Sequence, residues 1–466
     1  MDVALRALNR FGLGARTGER RRINDPRAWL RAQLAGGAPA IATPPASAPA
    51  ALGDAIRAFR GPARQTPEQR QQLRRKLVEI ASQESVAALT ARVTTDRPFV
   101  ERLVAFWSNH LCVSTAAKVL VAPLAGSYER EAIRPHVLGR FEDMVLASAK
   151  HPAMLVYLDN FQSIGPNSRG AQRGRGRRGL NENYARELLE LHTLGVNGGY
   201  TQQDVLELAK VLTGWTVGGL QNGGPRLRGA ASARLRDSAS ARQAESEIGF
   251  AFQDLLHEPG TRTVLGVKYS DAGVEQGEHV IRDLCRHAST ATFVATKLVT
   301  HFVADVPPAG AAEKLARVFR TSGGDLRAVS AALIDIEEAW TDATRKFRTP
   351  QDWLVAVLRA VDAPGVNVMT LPVLRQLRHP LWAPQAPKGF GDTMQEWADP
   401  DSLLNRAELA RTLARRMREA RLDAGALLDV VDVSGQDQLR ALLADTSIAA
   451  ADRVALAIAG PAFQWR

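Results

Sequence analysis

The chain has 466 residues, 45% hydrophobic and 23% charged, which is enough length and apolar content to bury a sizeable core. Two cysteines, Cys112 and Cys285, exclude a disulfide framework, and the absence of any run of about 18 uncharged apolar residues excludes a membrane span. The net charge of +11 raises the question of a polyanionic partner, but the basic tracts QRQQLRRK (69–76) and RGAQRGRGRRG (169–179) carry no aromatics to stack on bases, so they read as solvated surface and no specific nucleic acid is expected.

Only 6% of residues are aromatic, and alanine, leucine and arginine dominate, so the fold class reads as mostly α. The opening MDVALRALNRFGLGAR is too often charged for a signal peptide, and the chain as given reads as soluble and cytoplasmic. Asp25 before Pro26, Thr66 with Gln69, Thr201 with Asp204 and Thr349 with Asp352 are spaced as helix caps. Residues 38–62, rich in alanine, proline and glycine, read as a connection with at most one short helical turn. Helices are expected over Thr66–Val113, broken at the arginine cluster or at Thr94–Arg97, then near Pro123–Pro135, Arg140–His151 and Pro152–Asp159. Residues 162–180 read as a mobile Gly/Arg-rich loop and 218–245 as a second long exposed insertion. GFAF and RTVLGV, joined by a turn containing HEPG, are expected to form a small β-hairpin over 248–268, followed by helices to the C-terminus.

The densest chemistry lies in NENYARELLELHTLG, from Asn181 to Gly195. At about 100° per residue, Asn183, Glu187 and Glu190 share one face with Arg186 beside them, while His192 falls about 140° from Glu187, so no single-helix chelate forms. Two readings compete. One is an ion-pair ladder from Glu182 through Arg186 to Glu190; the other is a buried pocket in which Glu187, Glu190, Arg186 and His192 act as acid, base or anchor. A divalent metal, if bound, would draw ligands from Glu187, His192 and the His110 of FWSNHL, with Asn109, Asp159, Asn160, Asn181, Glu182 and Asn183 fixing a ligand. His136, His151 and His301 rank lower because none has a carboxylate at ligand spacing, and His257 with Glu258 sits where a hairpin tip could enter a cleft. Dinucleotide, P-loop and nucleophile-elbow patterns are missing from the sequence.

These segments, with ALNRFGLGAR, FWSNHL, YEREAIRPHVLGRFEDMVLASAKHPAMLVYLDN, LTGW, ATKLVTHFV, FRTPQDWLVAVLRA, APKGFGDTMQEW and VALAIAGPAFQWR, resemble the bacterial family called domain of unknown function 1800. The resemblance covers nearly the whole chain and implies one helical unit over 1–466, with NENYARELLELHTLG as its signature. It implies as partner an exported protein of another such family, domain of unknown function 1501, and therefore co-export to the periplasm or envelope as the alternative compartment. HEPG departs from the family's usual His-Asp. Two functions follow: a pocket that binds a metal or small polar ligand with redox or hydrolytic capacity, or a non-enzymatic accessory protein docking on an acidic partner through basic loops.

Overall fold

The structure, a computed structural model, describes residues 2–61, 65–172, 179–220, 248–416, 424–433 and 436–466. It is mostly helical, with two small antiparallel two-stranded sheets. The expected insertion lies almost wholly outside the described residues, as do 173–178 of the Gly/Arg-rich loop. No helix among the described residues is long and apolar enough to cross a membrane.

Where a turn-former sits before an apolar period, the helix starts there. Residues 38–62 hold more structure than their composition suggested: α1 (Pro49–Arg60) starts on a first-turn proline and buries Leu52, Ala55 and Ile56 on one stripe. Thr66 and Gln69 form a reciprocal cap (3.0 and 3.3 Å) that opens α2 (Pro67–Thr94). That helix runs straight through the arginine cluster and ends at Thr94, because Pro98 starts α3 (Pro98–His110). Next come α4 (Phe141–Lys150), α5 (Asn183–Glu187) and α6 (Gln202–Val211), the last opened by a Thr201–Asp204 capping box. Then come α7 (Val274–Arg286), α8 (Ala288–Phe302), α9 (Ala311–Thr321), α10 (Pro350–Ala360), α11 (Pro400–Arg416) and α12 (Ala450–Ala459). Helix α8 packs on α9, α11 on α12 and α7 on α4 around a continuous apolar core.

The strands pair otherwise than expected. β1 (Trp215–Gly218) takes β2 (Gly249–Phe252) as its partner, with Trp215 opposite Phe252, and β3 (Arg262–Val264) folds directly onto β4 (Val267–Tyr269). The reason is the turn Leu265-Gly266, with φ of +49° and +77°, which is the backbone of a two-residue hairpin and turns RTV back on VKY before it can reach GFAF. GFAF is left to the strand that follows α6. His257 and Glu258 are therefore buried rather than at a tip: His257 Nδ1 lies 2.9 Å from the Thr213 carbonyl, and Glu258 accepts from the backbone and side-chain nitrogens of Asn167 at 2.7 and 2.6 Å. The described flank of the Gly/Arg-rich loop is thereby tied to the second sheet region.

Among the described residues three π-helical turns interrupt the chain, at Ala7–Phe11, Glu129–Ile133 and Leu188–His192. Each widens the ring by one residue and shifts every following side chain around the axis, a device found often at functional sites. The third falls inside the signature segment.

Candidate functional site

Helix α5 continues from Glu187 into the π-turn Leu188–His192, so the 3.6-residue count that places Asn183 near Glu187 stops applying at Leu188. Tyr184, Ala185, Leu188, Leu189 and His192 are buried, and the charged residues form the outer edge. Arg186 lies 3.4 Å from Glu182 and 3.3 Å from Glu190, and it also donates to Gln202 at 2.8 Å; Gln202 returns a 2.8 Å bond to Glu182. With side chains 25 to 38% exposed, this is the ion-pair ladder, reinforced by one residue of α6. Glu187 is half-buried, and burial, then Glu190, raises its carboxyl above the usual range.

The amides of this segment fasten backbone. Asn181 Oδ1 accepts from the Asn183 nitrogen (2.9 Å) and its Nδ2 donates to the Leu158 carbonyl (3.3 Å). Buried Asn160 donates to the Leu212 and Trp215 carbonyls at 3.0 and 3.1 Å, joining the end of α6 to β1. Asp159, at φ +60°, pairs with Lys118 at 2.7 Å. His192 and His110 meet through the main chain: His110 Nε2 stands 3.1 Å from the His192 carbonyl oxygen. Burial drives both imidazoles to the neutral form, taking His192 down to about 3, and nearby Lys297 adds to the effect.

Beyond His110 opens a cavity of about 290 Å³ between α3, α8, the start of α10 and the segment 379–396. Arg102, Phe106, Asn109 and His110 face it from α3; Lys297 and His301 from α8; Asp352 and Val355 from α10; and His379, Leu381, Phe390 and Asp392 from the long segment, with exposed Lys388 and Glu396 at the rim. Its charged groups are mostly paired. Arg102 meets Asp352 at 3.0 Å, and Arg466 lies 3.6 Å away on the same carboxylate; burial opposes the charge, yet these cations hold Asp352 well below the carboxylate range. Behind the wall, Glu129 takes Arg92 and Arg134 (both 3.2 Å), Ser108 (2.9 Å) and the Trp382 indole (3.0 Å).

Two groups are differently disposed. His301 Nδ1 bonds Asp392 at 2.7 Å, and its Nε2, also buried, has no hydrogen-bonding partner among the described residues. Because Asp392 stays ionised beside His301 and buried Lys346, Nδ1 carries the proton and Nε2 presents its lone pair. Lys297, one helical turn before His301 on α8, finds no carboxylate or carbonyl among the described residues and lies 5.5 Å over the Phe293 ring. Burial lowers its ammonium to about 8, which leaves it charged at neutral pH.

The segment carrying Asp392 is held by Asn109, which donates to the Phe390 carbonyl (2.9 Å) and accepts from the Phe390 nitrogen (2.8 Å). Gly389, at φ +81°, allows the approach: a Cβ there would stand 2.5 Å from the Asn109 carbonyl oxygen.

Of the residues singled out from sequence, Asn109 and His110 line this cavity, whereas Asp159, Asn160, Asn181, Glu182, Asn183, Arg186, Glu187, Glu190 and His192 do not. No group of three His, Cys, Asp or Glu side chains among the described residues is arranged to hold a metal ion. Asp392, Lys297 and Asp352 were outside the sequence reading of the site, and His301 ranked low in it. His301 ranked low for want of a carboxylate at ligand spacing, and its carboxylate partner lies 91 residues further on; the signal available was the aspartate of APKGFGDTMQEW.

No curated protein and no solved structure matches the chain. A family model described as protein of unknown function (DUF1800) matches it over residues 6–465. The same three π-turns, the Asn109 clamp and the cavity residues all fall inside that span, and the protein belongs to the DUF1800 family.

Proposed function

We propose that the protein binds a small anionic ligand, a short-chain carboxylate, in the cavity beneath α3 and α8. The observation that carries the reading is Lys297, a cation facing the cavity with no ion-pair partner among the described residues, Asp392 acting on it only from beyond ion-pair distance. An ammonium so placed gains most from a carboxylate, since desolvation has already weakened its hold on its proton and a counter-charge restores it. Phe106, Val355 and Leu381 give the rest of the wall an apolar surface suited to a short alkyl tail. At about 290 Å³ the space lies at the small end of ligand pockets, which favours a few carbon atoms over a polymer or a nucleotide.

In this reading His110 stands in the cavity wall as a neutral imidazole with neutral His192 behind it, Glu187 acts on the nearby Cys112 thiol, and Arg186 braces the segment from outside. A metal would need ligands converging from several elements, and the carboxylate reading is preferred because the described residues show no such convergence while Lys297 has no ion-pair partner among them.

The test is calorimetric titration with butyrate at pH 7 against the wild type and Lys297→Met. Saturable binding weakened about tenfold or more by the substitution supports the reading, a size appropriate to loss of one charge-assisted contact of about 1.5–3 kcal/mol. Equal affinity in the two proteins, or no binding to the wild type at millimolar butyrate, removes it.

A further inference from the structure

We propose that His301 and Asp392 form a general-base dyad that activates water to hydrolyse esters of the short-chain carboxylate held by Lys297. The inference rests on the binding reading above and adds a reaction to it.

The geometry has three parts. Asp392 fixes the imidazole through a 2.7 Å bond to Nδ1, and Asp392 is itself held by Lys346 at 3.7 Å and, through its segment, by the Asn109 clamp. The opposite nitrogen, Nε2, is buried, has no acceptor or donor facing it among the described residues, and belongs to a side chain lining the cavity. Lys297 lies four residues earlier on the same helix, so the two side chains share a face about 5–6 Å apart at Cβ. One face therefore offers a lone pair to take a proton and a cation to receive negative charge.

The steps balance as follows. Water gives a proton to His301 Nε2 while its oxygen bonds to the acyl carbon, and the carbonyl oxygen becomes an oxyanion beside the Lys297 ammonium. The intermediate then breaks the bond to the alcohol oxygen, which takes the proton back from the imidazolium. Ester and water become carboxylate and alcohol, with one proton released to solvent. Asp392 is a positioning residue: it fixes the tautomer and offsets the transient positive charge. Phe106, 5.3 Å from the His301 ring, closes the side toward His110.

The groups facing His301 define its titration. Burial lowers the imidazole to about 4 despite Asp392, with Arg466 and Arg102 adding to the lowering; Asp352, which pairs with those arginines, is itself close enough for His301 to help hold it ionised. Lys297 sits at about 8. The reaction needs neutral His301 and charged Lys297, so the rate should rise through about pH 4, stay level near pH 5–7 and fall through about pH 8.

The experiment follows 4-nitrophenyl butyrate hydrolysis, corrected for the buffer reaction, together with butyrate binding. The wild type should turn over with the stated pH profile. His301→Gln should lose about a hundredfold or more in kcat while still binding butyrate. Asp392→Asn should lose less and displace the acid limb, and Asp392→Glu should restore part of the rate. Butyrate binding with no wild-type hydrolysis, or with a rate indifferent to His301→Gln, overturns the dyad and leaves the binding reading standing. Absent butyrate binding overturns the binding reading itself. The wild-type pH profile needs no variant, so a poorly folding His301→Gln does not protect the proposal: a profile without the limb near pH 4 overturns it.

Discussion

Glu129 shows how one residue can set the rigidity of a wall. It is 1% exposed, sits in the first position of the second π-turn, and accepts from Arg92, Arg134, Ser108 and Trp382. Burial alone would raise its carboxyl, but Arg92 and Arg134, with the indole and hydroxyl donors, bring it below the ordinary value. Arg134 has a second partner in Glu101 at 2.6 Å, whereas Arg92 has only the amide of Gln351 to fall back on, at 2.9 Å. Glu129→Gln keeps the shape and removes the charge, leaving a buried guanidinium without its counter-ion; it should destabilise the protein by about 3–5 kcal/mol, measured by denaturant unfolding. The outer ladder gives the contrast. Arg186→Ala breaks two partly exposed ion pairs and the bond to Gln202, and should cost no more than about 1 kcal/mol, with butyrate affinity unchanged in calorimetry. A loss in the range expected for Glu129→Gln would mean that the signature edge has a structural weight its exposure does not explain.

At the scale of elements, the segment 379–396 depends on α3 for its position. Asn109→Ala deletes both bonds to Phe390 and leaves the Phe390 amide and carbonyl to find other partners. Stability should fall by about 1–3 kcal/mol, amide exchange over 389–396 should accelerate, and α8 should be unaffected. Unchanged exchange in that segment would show that His301 and Lys346 hold Asp392 without the clamp. This dependence also explains what could be read from the sequence and what could not. Helix starts were legible because Thr66, Thr201 and Thr349 act on amides three residues away, and the mostly α class followed from composition. Asn109 and His110 were legible as polar groups beside large aromatics. The pairing of β2 was not, because it is decided by a turn in a different hairpin, at Leu265-Gly266. The π-turns were not, because a wider ring leaves no mark on a 3.6-residue count until coordinates show the shift. His301 with Asp392 joins residues 91 apart, and nothing local to either one announces the other.

For the whole molecule, the buried imidazoles make a prediction that the carboxylates alone would not. His110, His192, His301 and His379 are all depressed, first by burial, with His192 and His379 at about 3 and His301 at about 4. In the unfolded chain each takes up a proton near pH 6.5, while the folded chain does not until far lower pH. Below about pH 6.5 the unfolded state therefore binds more protons, and folding stability falls by about 1.4 kcal/mol per pH unit for each such histidine. The depressed carboxylates, Asp352, Asp392 and Glu129, add their loss only later, as pH falls below about 4. Folding stability should thus begin to fall between pH 6.5 and 5, in a range where proteins stabilised mainly by ion pairs are unchanged. Denaturant midpoints at pH 7, 6, 5 and 4 measure this directly, and His379→Phe, which retains a ring between Phe390 and Trp397, should flatten the slope by about one histidine's share. A midpoint constant from pH 7 to 5 would require these imidazoles to take up protons inside the fold as they do in the unfolded chain, near pH 6.5. In that case the acid limb of the hydrolysis rate would lie near pH 6.5 instead of about pH 4, and the pH profile derived for His301 would fail.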